Sequence, residues 1–162
     1  MRAMVVYDSV FGNTEKIALA ISKALGTNEN VKTVRVESVS AEQLRGLQLL
    51  IVGSPTQKFK PLKTITSFLK GIGSSGLQGV QVAAFDTRIS VDDVKSSLLR
   101  FMVRLGGYAA KPIANRLQKC GGDLIMPPEG FLVKESEGPL KEGELERAVS
   151  WTQQIITALK KS

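Results

Sequence analysis

The chain has 162 residues, 43% of them hydrophobic and 23% charged, which is an ordinary composition for a globular protein with a sizeable core. No apolar run is long enough to cross a bilayer. A single cysteine, Cys120, and no histidine exclude an internal disulfide, a Ser-His-Asp triad and a cysteine metal cluster, and they fit a reducing, cytoplasmic setting. The formal net charge is +7, and no acidic residue lies between Glu42 and Asp86.

The first predicted element is a strand that runs into a polar loop and then into a helix. Ala3 to Tyr7 is a short apolar run, as expected of a strand buried on both faces, and an amphipathic helix begins at Glu15. Between them lies Ser9-Val10-Phe11-Gly12-Asn13-Thr14. Such a corner points backbone N–H groups and the positive end of a helix at one spot, which suits a phosphate. The alternative is a plain turn in which Asn13 or Thr14 only caps the helix.

The middle of the chain continues this alternation of strands and helices. Strands are predicted at 31–39, 47–52 and 80–85, and the third of these is followed by Asp86-Thr87-Arg88. Ser40 with Gln43 predicts a capping box for a short helix that ends at Gly46. A longer helix is predicted from Pro61 to residue 72, followed by a Gly- and Ser-rich loop at 73–79.

The last part of the chain predicts three more helices and one interrupted strand. Ser90 with Asp93 marks the start of a helix that reaches about residue 105, and we expect Met102 in the core, together with Trp151. Further helices are predicted at 111–119 and 144–160. The fifth strand follows Gly122, is interrupted at Pro127-Pro128 and resumes at 131–133.

This order of elements predicts an α/β protein built as one domain over residues 1–162. Apolar strands that alternate with helices favour a five-stranded, doubly wound parallel sheet with helices on both faces. In such sheets ligands bind beyond the carboxyl ends of the strands, at the switch point. We therefore expect the loops at 8–14, 53–61 and 86–90 to converge on one site.

Three of these segments resemble the flavodoxin family. The loop at 9–14 resembles the flavodoxin phosphate loop, Ser/Thr-x-Thr-Gly-x-Thr, with Phe11 where the family usually has a hydroxyl residue. Ile51-Val52-Gly53-Ser54-Pro55-Thr56 and Ala83-Ala84-Phe85-Asp86-Thr87-Arg88 are also similar to flavodoxin-like proteins. The resemblance implies strand order 2-1-3-4-5, non-covalently bound FMN, and one-electron transfer to and from protein partners. It also implies aromatic residues against the flavin ring, and the nearest candidates are Phe59 and Tyr108.

The resemblance and the loop positions together predict the cofactor-binding residues. They are Ser9, Val10, Phe11, Gly12, Asn13, Thr14, Ser54, Pro55, Thr56, Gln57, Lys58, Phe59, Asp86, Thr87, Arg88 and Tyr108. No catalytic side chain and no metal ligand is predicted, so the chemistry is expected to come from the cofactor. For Asp86, Thr87 and Arg88, a surface role in which Arg88 pairs with Asp86 or Asp92 is an equal alternative to ligand contact.

The basic charge predicts the kind of partner. Lys58, Lys60 and Lys63 are expected to surround the second loop, where they would favour the anionic reduced flavin and an acidic docking face on a redox protein. Nucleic acid is a remote alternative, because there is no long run of basic residues. A monomer is expected. The alternative functions are a flavin enzyme of the same fold, such as a quinone reductase that uses a nicotinamide, and a non-redox module that binds another phosphate.

Overall fold

The structure, a computed structural model, describes residues 1–161. The strands are β1 (Ala3–Tyr7), β2 (Val31–Arg35), β3 (Leu49–Pro55), β4 (Gln81–Ile89), β5 (Asp123–Leu124) and β6 (Glu129–Val133). The α-helices are α1 (Asn13–Leu25), α2 (Lys63–Gly71), α3 (Ser97–Gly106), α4 (Ala110–Lys119) and α5 (Glu144–Leu159). No helix among the described residues combines the length and the apolarity that crossing a membrane requires.

The strands form one parallel sheet in the order β2-β1-β3-β4-β5, with β6 also paired to β4. The predicted fold class and strand order are therefore confirmed, with a sixth strand added. The additional strand arises because Pro127-Pro128 interrupts the fifth, as predicted: β5 pairs with the start of β4, and β6 pairs with its end. The carboxyl ends of β1, β3, β4 and β6 consequently lie at the same edge of the sheet.

Alternation along the strands divides the core between the two faces of the sheet. Met4 and Val6 of β1 join a cluster with residues of α2 and α4, whereas Ala3, Val5 and Tyr7 join a cluster with α1 and α5. In the second cluster Phe85, Phe131 and Trp151 pack edge to face with ring centroids 6.0–6.4 Å apart. The prediction that Trp151 lies in the core is confirmed, since it is 4% exposed.

Several predicted boundaries differ from the structure. Asp86, Thr87 and Arg88 belong to β4, which runs to Ile89 because β6 pairs with its second half. β3 likewise extends to Pro55, while β2 ends at Arg35 and is followed by a 3₁₀ turn. The predicted capping box of Ser40 and Gln43 is present, on a 3₁₀ turn.

The single helix predicted from Ser90 is divided in two. A 3₁₀ turn at Val91–Asp93 precedes α3, which starts at Ser97 with the Ser96 side chain as its cap. The prediction that Met102 lies in the core is wrong, because this side chain is 44% exposed. All of α3 lies on the outside of the molecule, and none of its residues is buried.

Candidate functional site

A cavity of about 650 Å³ opens at the carboxyl edge of the sheet. Its walls come from the loop after β1, the loop after β3, the end of β4, the loop after β6, and α3 with the segments on either side of it. The three segments that the sequence predicted to converge, at 8–14, 53–61 and 86–90, therefore meet at this cavity. All but three of the predicted site residues line the cavity, the exceptions being Gly12, Ser54 and Asp86.

Ser54 and Asp86 are buried beside the cavity, and their hydrogen bonds hold residues of its walls in place. The Ser54 hydroxyl accepts a hydrogen bond from the Leu62 N–H at 2.9 Å and donates one to the Pro55 carbonyl at 2.9 Å. It therefore fixes the chain between β3 and α2. Asp86 is 0% exposed and acts through Arg88, as described below.

The loop at residues 9–14 presents free backbone donors to the cavity. Gly12 is the N-cap of α1 with φ +88°, and no side chain caps this helix, so the alternative in which Asn13 or Thr14 is the cap is wrong. Among the described residues, the backbone N–H groups of Val10, Phe11, Asn13 and Thr14 have no hydrogen-bond acceptor. Unsatisfied N–H groups at the positive end of a helix form a site for an anion.

The side chains of this loop are largely engaged within the protein. Ser9 Oγ accepts from the Gly12 N–H at 3.0 Å, and the Asn13 amide donates to the Glu137 carbonyl at 3.1 Å. Thr14 Oγ1 lies 2.8 Å from Thr87 Oγ1. The backbone N–H groups and the Ser9 hydroxyl proton are thus the donors that the loop has available for a ligand.

Asp8 holds the loop from behind. This buried carboxylate accepts hydrogen bonds from the Ser9 N–H at 2.8 Å, from Arg35 Nε at 3.1 Å and from Thr64 Oγ1 at 2.5 Å. Arg35 also donates to the Ser9 carbonyl. The start of the loop is therefore tied to β2 and to α2 at once, which sets its position before any ligand binds.

The second wall is a tight turn in an unusual conformation. Gln57 and Lys60 exchange backbone hydrogen bonds at 2.9 and 3.0 Å across Lys58 and Phe59, which have φ +48° and +67°. These angles describe a type I′ turn, which ordinarily has Asn or Gly at both positions. Lys58 and Phe59 therefore have a strained backbone conformation, and the side chains of both residues line the cavity.

A buried ion pair and an aromatic ring form the third wall. The Arg88 guanidinium contacts Asp86 with two bonds of 2.6 and 2.7 Å, and the Ala110 N–H at the start of α4 donates to the same carboxylate at 2.8 Å. Burial raises the pKa of Asp86, whereas Arg88 and this N–H oppose the rise. The Cζ atom of Arg88 lies 3.9 Å from the centre of the Tyr108 ring, so the guanidinium also makes a cation–π contact. Arg88 therefore pairs with Asp86, as one sequence interpretation expected, and also lines the cavity. The alternative of a surface role is wrong for Asp86 and Thr87, because both are buried.

Helix α3 covers the cavity, and the sequence did not predict this. Leu99, Met102 and Val103 face the cavity, together with Ile89, Val94 and Val133. A side chain at Gly106 would start 2.6 Å from Phe59 Cγ, so the end of α3 rests directly on the turn at 57–60. Apolar residues at helical spacing usually indicate a helix that packs on the core. The sequence pattern of α3 does not distinguish such a helix from one that forms the roof of a cavity.

The sequence also missed the wall that follows β6. Val133 and Ser136 line the cavity, and the Glu137 carbonyl accepts from Asn13. The available signal was positional, because the carboxyl end of a further parallel strand must lie at the same edge as the others.

The arrangement favours a flat ligand with an anionic end. The free N–H groups lie at one side, while the roof and Val133 supply apolar surface and Phe59 and Tyr108 supply aromatic surface. No group of three or more His, Cys, Asp or Glu side chains in residues 1–161 is placed to hold a metal ion. The cavity-lining side chains include no carboxylate and no histidine to act as a general base.

Comparison with known proteins identifies solved structures that are similar to this chain. Neither a protein-family model nor a curated protein matches the sequence. Among solved structures, a flavodoxin from the domain Archaea is 25% identical, with a TM-score of 0.76 over 99% of each chain. Flavodoxin 1 from Bacillus cereus is 16% identical, with a TM-score of 0.72 over 97% of this chain and 98% of its own. Rubredoxin oxygen:oxidoreductase from Desulfovibrio gigas is 24% identical over 98% of this chain and 36% of its own, with a TM-score of 0.71. The resemblance to flavodoxins is therefore confirmed, and the chain has the flavodoxin-like fold.

Proposed function

We propose that the chain binds FMN non-covalently in the cavity beneath α3 and carries electrons between redox proteins, as a flavodoxin does. The observation that carries this proposal is the set of unsatisfied N–H groups at the start of α1, placed at one end of a cavity with aromatic and apolar walls. The flavodoxin neighbours, which extend over nearly the whole chain, support it independently.

The residues present fit this cofactor. Its phosphate would be held by the backbone N–H groups of Val10, Phe11, Asn13 and Thr14 and by the Ser9 hydroxyl. The ring system would contact Phe59 and Tyr108, with the side chains of α3 excluding water. Phe11 has no side-chain hydroxyl and would contribute only its backbone N–H. The other three N–H groups and the Ser9 hydroxyl would supply the remaining donors to the phosphate.

Each part of the site has a role that does not require acid–base catalysis. Bound FMN supplies the electron-transfer chemistry, which protein side chains lack. Asp8 and Arg35 position the phosphate loop, the 57–60 turn positions Phe59, and Asp86 positions Arg88. The chain therefore contributes binding, orientation and electrostatics.

The test compares FMN with riboflavin, which has the same ring system and no phosphate. We expect the purified protein to perturb the visible spectrum of added FMN, to retain it through desalting, and to bind riboflavin about tenfold or more weakly. Equal affinities would contradict the phosphate site. Absence of any FMN binding would contradict the proposed function as a whole.

A second measurement separates a carrier from an enzyme. We expect the FMN complex to oxidise NADH and NADPH slowly by itself and to be reduced quickly by a reductase protein. Steady oxidation of either nucleotide with a quinone as the acceptor would instead favour the flavin oxidoreductase. We propose further that the protein acts as a monomer with acidic redox partners, so association should slow as salt rises, and light scattering should give the mass of one chain.

A further inference from the structure

A groove of about 530 Å³ runs between α2 and α4, on the face of the sheet away from α1 and α5. Its floor is apolar and includes Leu69, Pro112 and Ile113, and its rim carries Lys60, Lys63, Lys70 and Arg116. The groove contains none of the residues that line the cavity beneath α3.

The charged residues that line this groove all have the same sign. α2 and α4 contain no acidic residue, and neither does any position from 43 to 85 or from 94 to 122. None of the ion pairs within residues 1–161 involves the four rim cations. Arg116 is held in place because its Nε donates to the Leu69 carbonyl at 3.3 Å. The cations are therefore free to pair with an external anion.

The groove begins where the cavity ends. Lys58 and Phe59 line the cavity, whereas Lys60, the last residue of the same turn, lines the groove. The lysines expected from the sequence to surround the second loop are thus divided, with Lys58 at the cavity and Lys60 and Lys63 at the groove. A molecule that lies in the groove consequently adjoins the 57–60 turn at the cavity edge.

We propose that the α2–α4 groove is the docking site for an acidic segment of a partner protein that places an apolar side chain on the apolar floor of the groove. Unpaired cations of one sign identify the occupant as anionic. The apolar floor favours a polypeptide over a nucleic acid, whose phosphate backbone has no apolar group to place there. The proposal deepens the proposed electron-carrier function by locating its partner contact, but binding to the groove does not itself require FMN.

The probe is a fluorescein-labelled peptide of glutamates with one central leucine, and its leucine-to-serine counterpart. Fluorescence anisotropy is measured with the wild type, with Lys63→Glu/Lys70→Glu, and with Lys23→Glu/Lys160→Glu as a control. The control pair makes the same change of net charge with exposed residues on α1 and just after α5, at the opposite face. A further variant, Thr66→Phe, keeps the cations and fills the groove, which Thr66 lines.

We expect Lys63→Glu/Lys70→Glu to raise the Kd of the leucine peptide about tenfold or more. The control, Lys23→Glu/Lys160→Glu, should raise this Kd about threefold or less. The serine peptide should bind the wild type more weakly than the leucine peptide does, and Thr66→Phe should remove that difference. Equal losses in the two charge variants, equal binding of the two peptides, or full competition by a DNA duplex would each overturn the proposal.

FMN titration of the same proteins keeps the two proposals distinguishable. All three variants should bind FMN as the wild type does, because their substituted residues lie outside the cavity. If the wild type does not bind FMN, the proposed function is contradicted, whereas the peptide measurement still tests the docking site. Retained FMN binding with no groove-dependent peptide binding would contradict the docking site alone.

Discussion

The hydroxyls of Thr14 and Thr87 lie 2.8 Å apart, and both residues are almost fully buried, at 1% and 4% exposed. One residue belongs to the first turn of α1 and the other to β4, so this contact joins the loop at 9–14 to the third wall of the cavity. Because a buried hydroxyl that loses its partner is costly, the pair holds the two walls at a fixed separation.

We expect Thr14→Val and Thr87→Val each to lower the free energy of unfolding by about 1–3 kcal/mol, since each leaves the other hydroxyl unpaired. The double variant should cost less than the sum, because the second substitution removes that unpaired group. Denaturant unfolding of all four proteins measures the coupling. Thr33→Val, in β2 and without a side-chain hydrogen bond in the described structure, is the control and should change stability little. Strictly additive losses would show that the two hydroxyls do not interact.

The contact between Gly106 and Phe59 predicts that the roof sets the position of the aromatic wall. Alanine at Gly106 favours a helix intrinsically, but its Cβ would lie 2.6 Å from Phe59 Cγ and 2.8 Å from Phe59 Cβ. We expect Gly106→Ala to weaken FMN binding by about 1–3 kcal/mol, the usual cost of overpacking. Gly71→Ala in α2 is the matched control, because nothing lies within 4 Å of its added Cβ, and it should leave FMN binding unchanged. Equal FMN affinity in the two variants would separate the roof from the binding site.

The Asp86–Arg88 pair predicts a pH-dependent cost. Arg88→Met leaves a carboxylate that is 0% exposed without its cation, and we expect a loss of about 3 kcal/mol or more in the free energy of unfolding at pH 7. Burial raises the pKa of Asp86, and it does so more fully once Arg88 is removed. The folded variant then takes up a proton more readily than the unfolded chain, whose pKa is about 3.9, so the loss should shrink as pH falls toward 4.

Chemical denaturation at several pH values tests this dependence. Arg104→Met is the control, since Arg104 lies on the exposed side of α3 without an ion pair in the described structure, and it should stay within about 0.5 kcal/mol of the wild type. A cost for Arg88→Met that does not vary with pH would mean that Asp86 finds another partner.

Sequence patterns predicted the fold because each strand repeats the same physical requirement. Buried parallel strands need apolar side chains on both faces, and runs such as Ala3–Tyr7 satisfy it without ambiguity. The loops of the site followed from topology alone, since parallel strands bring their carboxyl ends to one edge. The position of the loop at 9–14 beside the cavity was therefore predictable, even though Phe11 departs from the flavodoxin pattern.

The roof and the partition of charge were not predictable, for two different reasons. Leu99, Met102 and Val103 have the spacing of a core helix, and only the tertiary structure decides whether such a face meets the sheet or a cavity. The lysines at 58 and 60 are two residues apart, and the turn between them directs one to the cavity and the other to the groove. Sequence distance does not resolve such a separation.

This division of the lysines predicts different effects on the reduction potential of bound FMN. A cation that lines the cavity stabilises the anionic reduced flavin, so Lys58→Gln should lower the potential, by the equivalent of about 1 kcal/mol or less for an exposed charge. Lys63→Gln removes the same charge at the groove and should change the potential less. Potentiometric titration of the two FMN complexes measures the difference. A larger effect from Lys63 would contradict the assignment of the two residues to separate sites.

The contact between β6 and α5 predicts acid sensitivity with a known sign. Glu144 accepts a hydrogen bond from the Leu132 N–H at 2.6 Å and two from Arg147 at 2.7 and 3.0 Å. Burial alone would raise the pKa of Glu144, but these donors outweigh burial, and the pKa lies below its ordinary value. The unfolded chain therefore binds this proton at a higher pH than the folded protein does. The stability that Glu144 contributes is complete above the unfolded pKa of about 4.3 and is lost as pH falls through the folded pKa.

We accordingly expect Glu144→Gln to lower the free energy of unfolding by about 1–3 kcal/mol at pH 7 and by progressively less in acid, where the wild-type carboxylate is itself protonated. Urea denaturation across this range measures both proteins. Glu146→Gln, an exposed neighbour on the same helix, is the control, and its curve should follow that of the wild type. A Glu144→Gln curve that runs parallel to the wild type at every pH would show that the carboxylate charge contributes nothing to the β6–α5 contact.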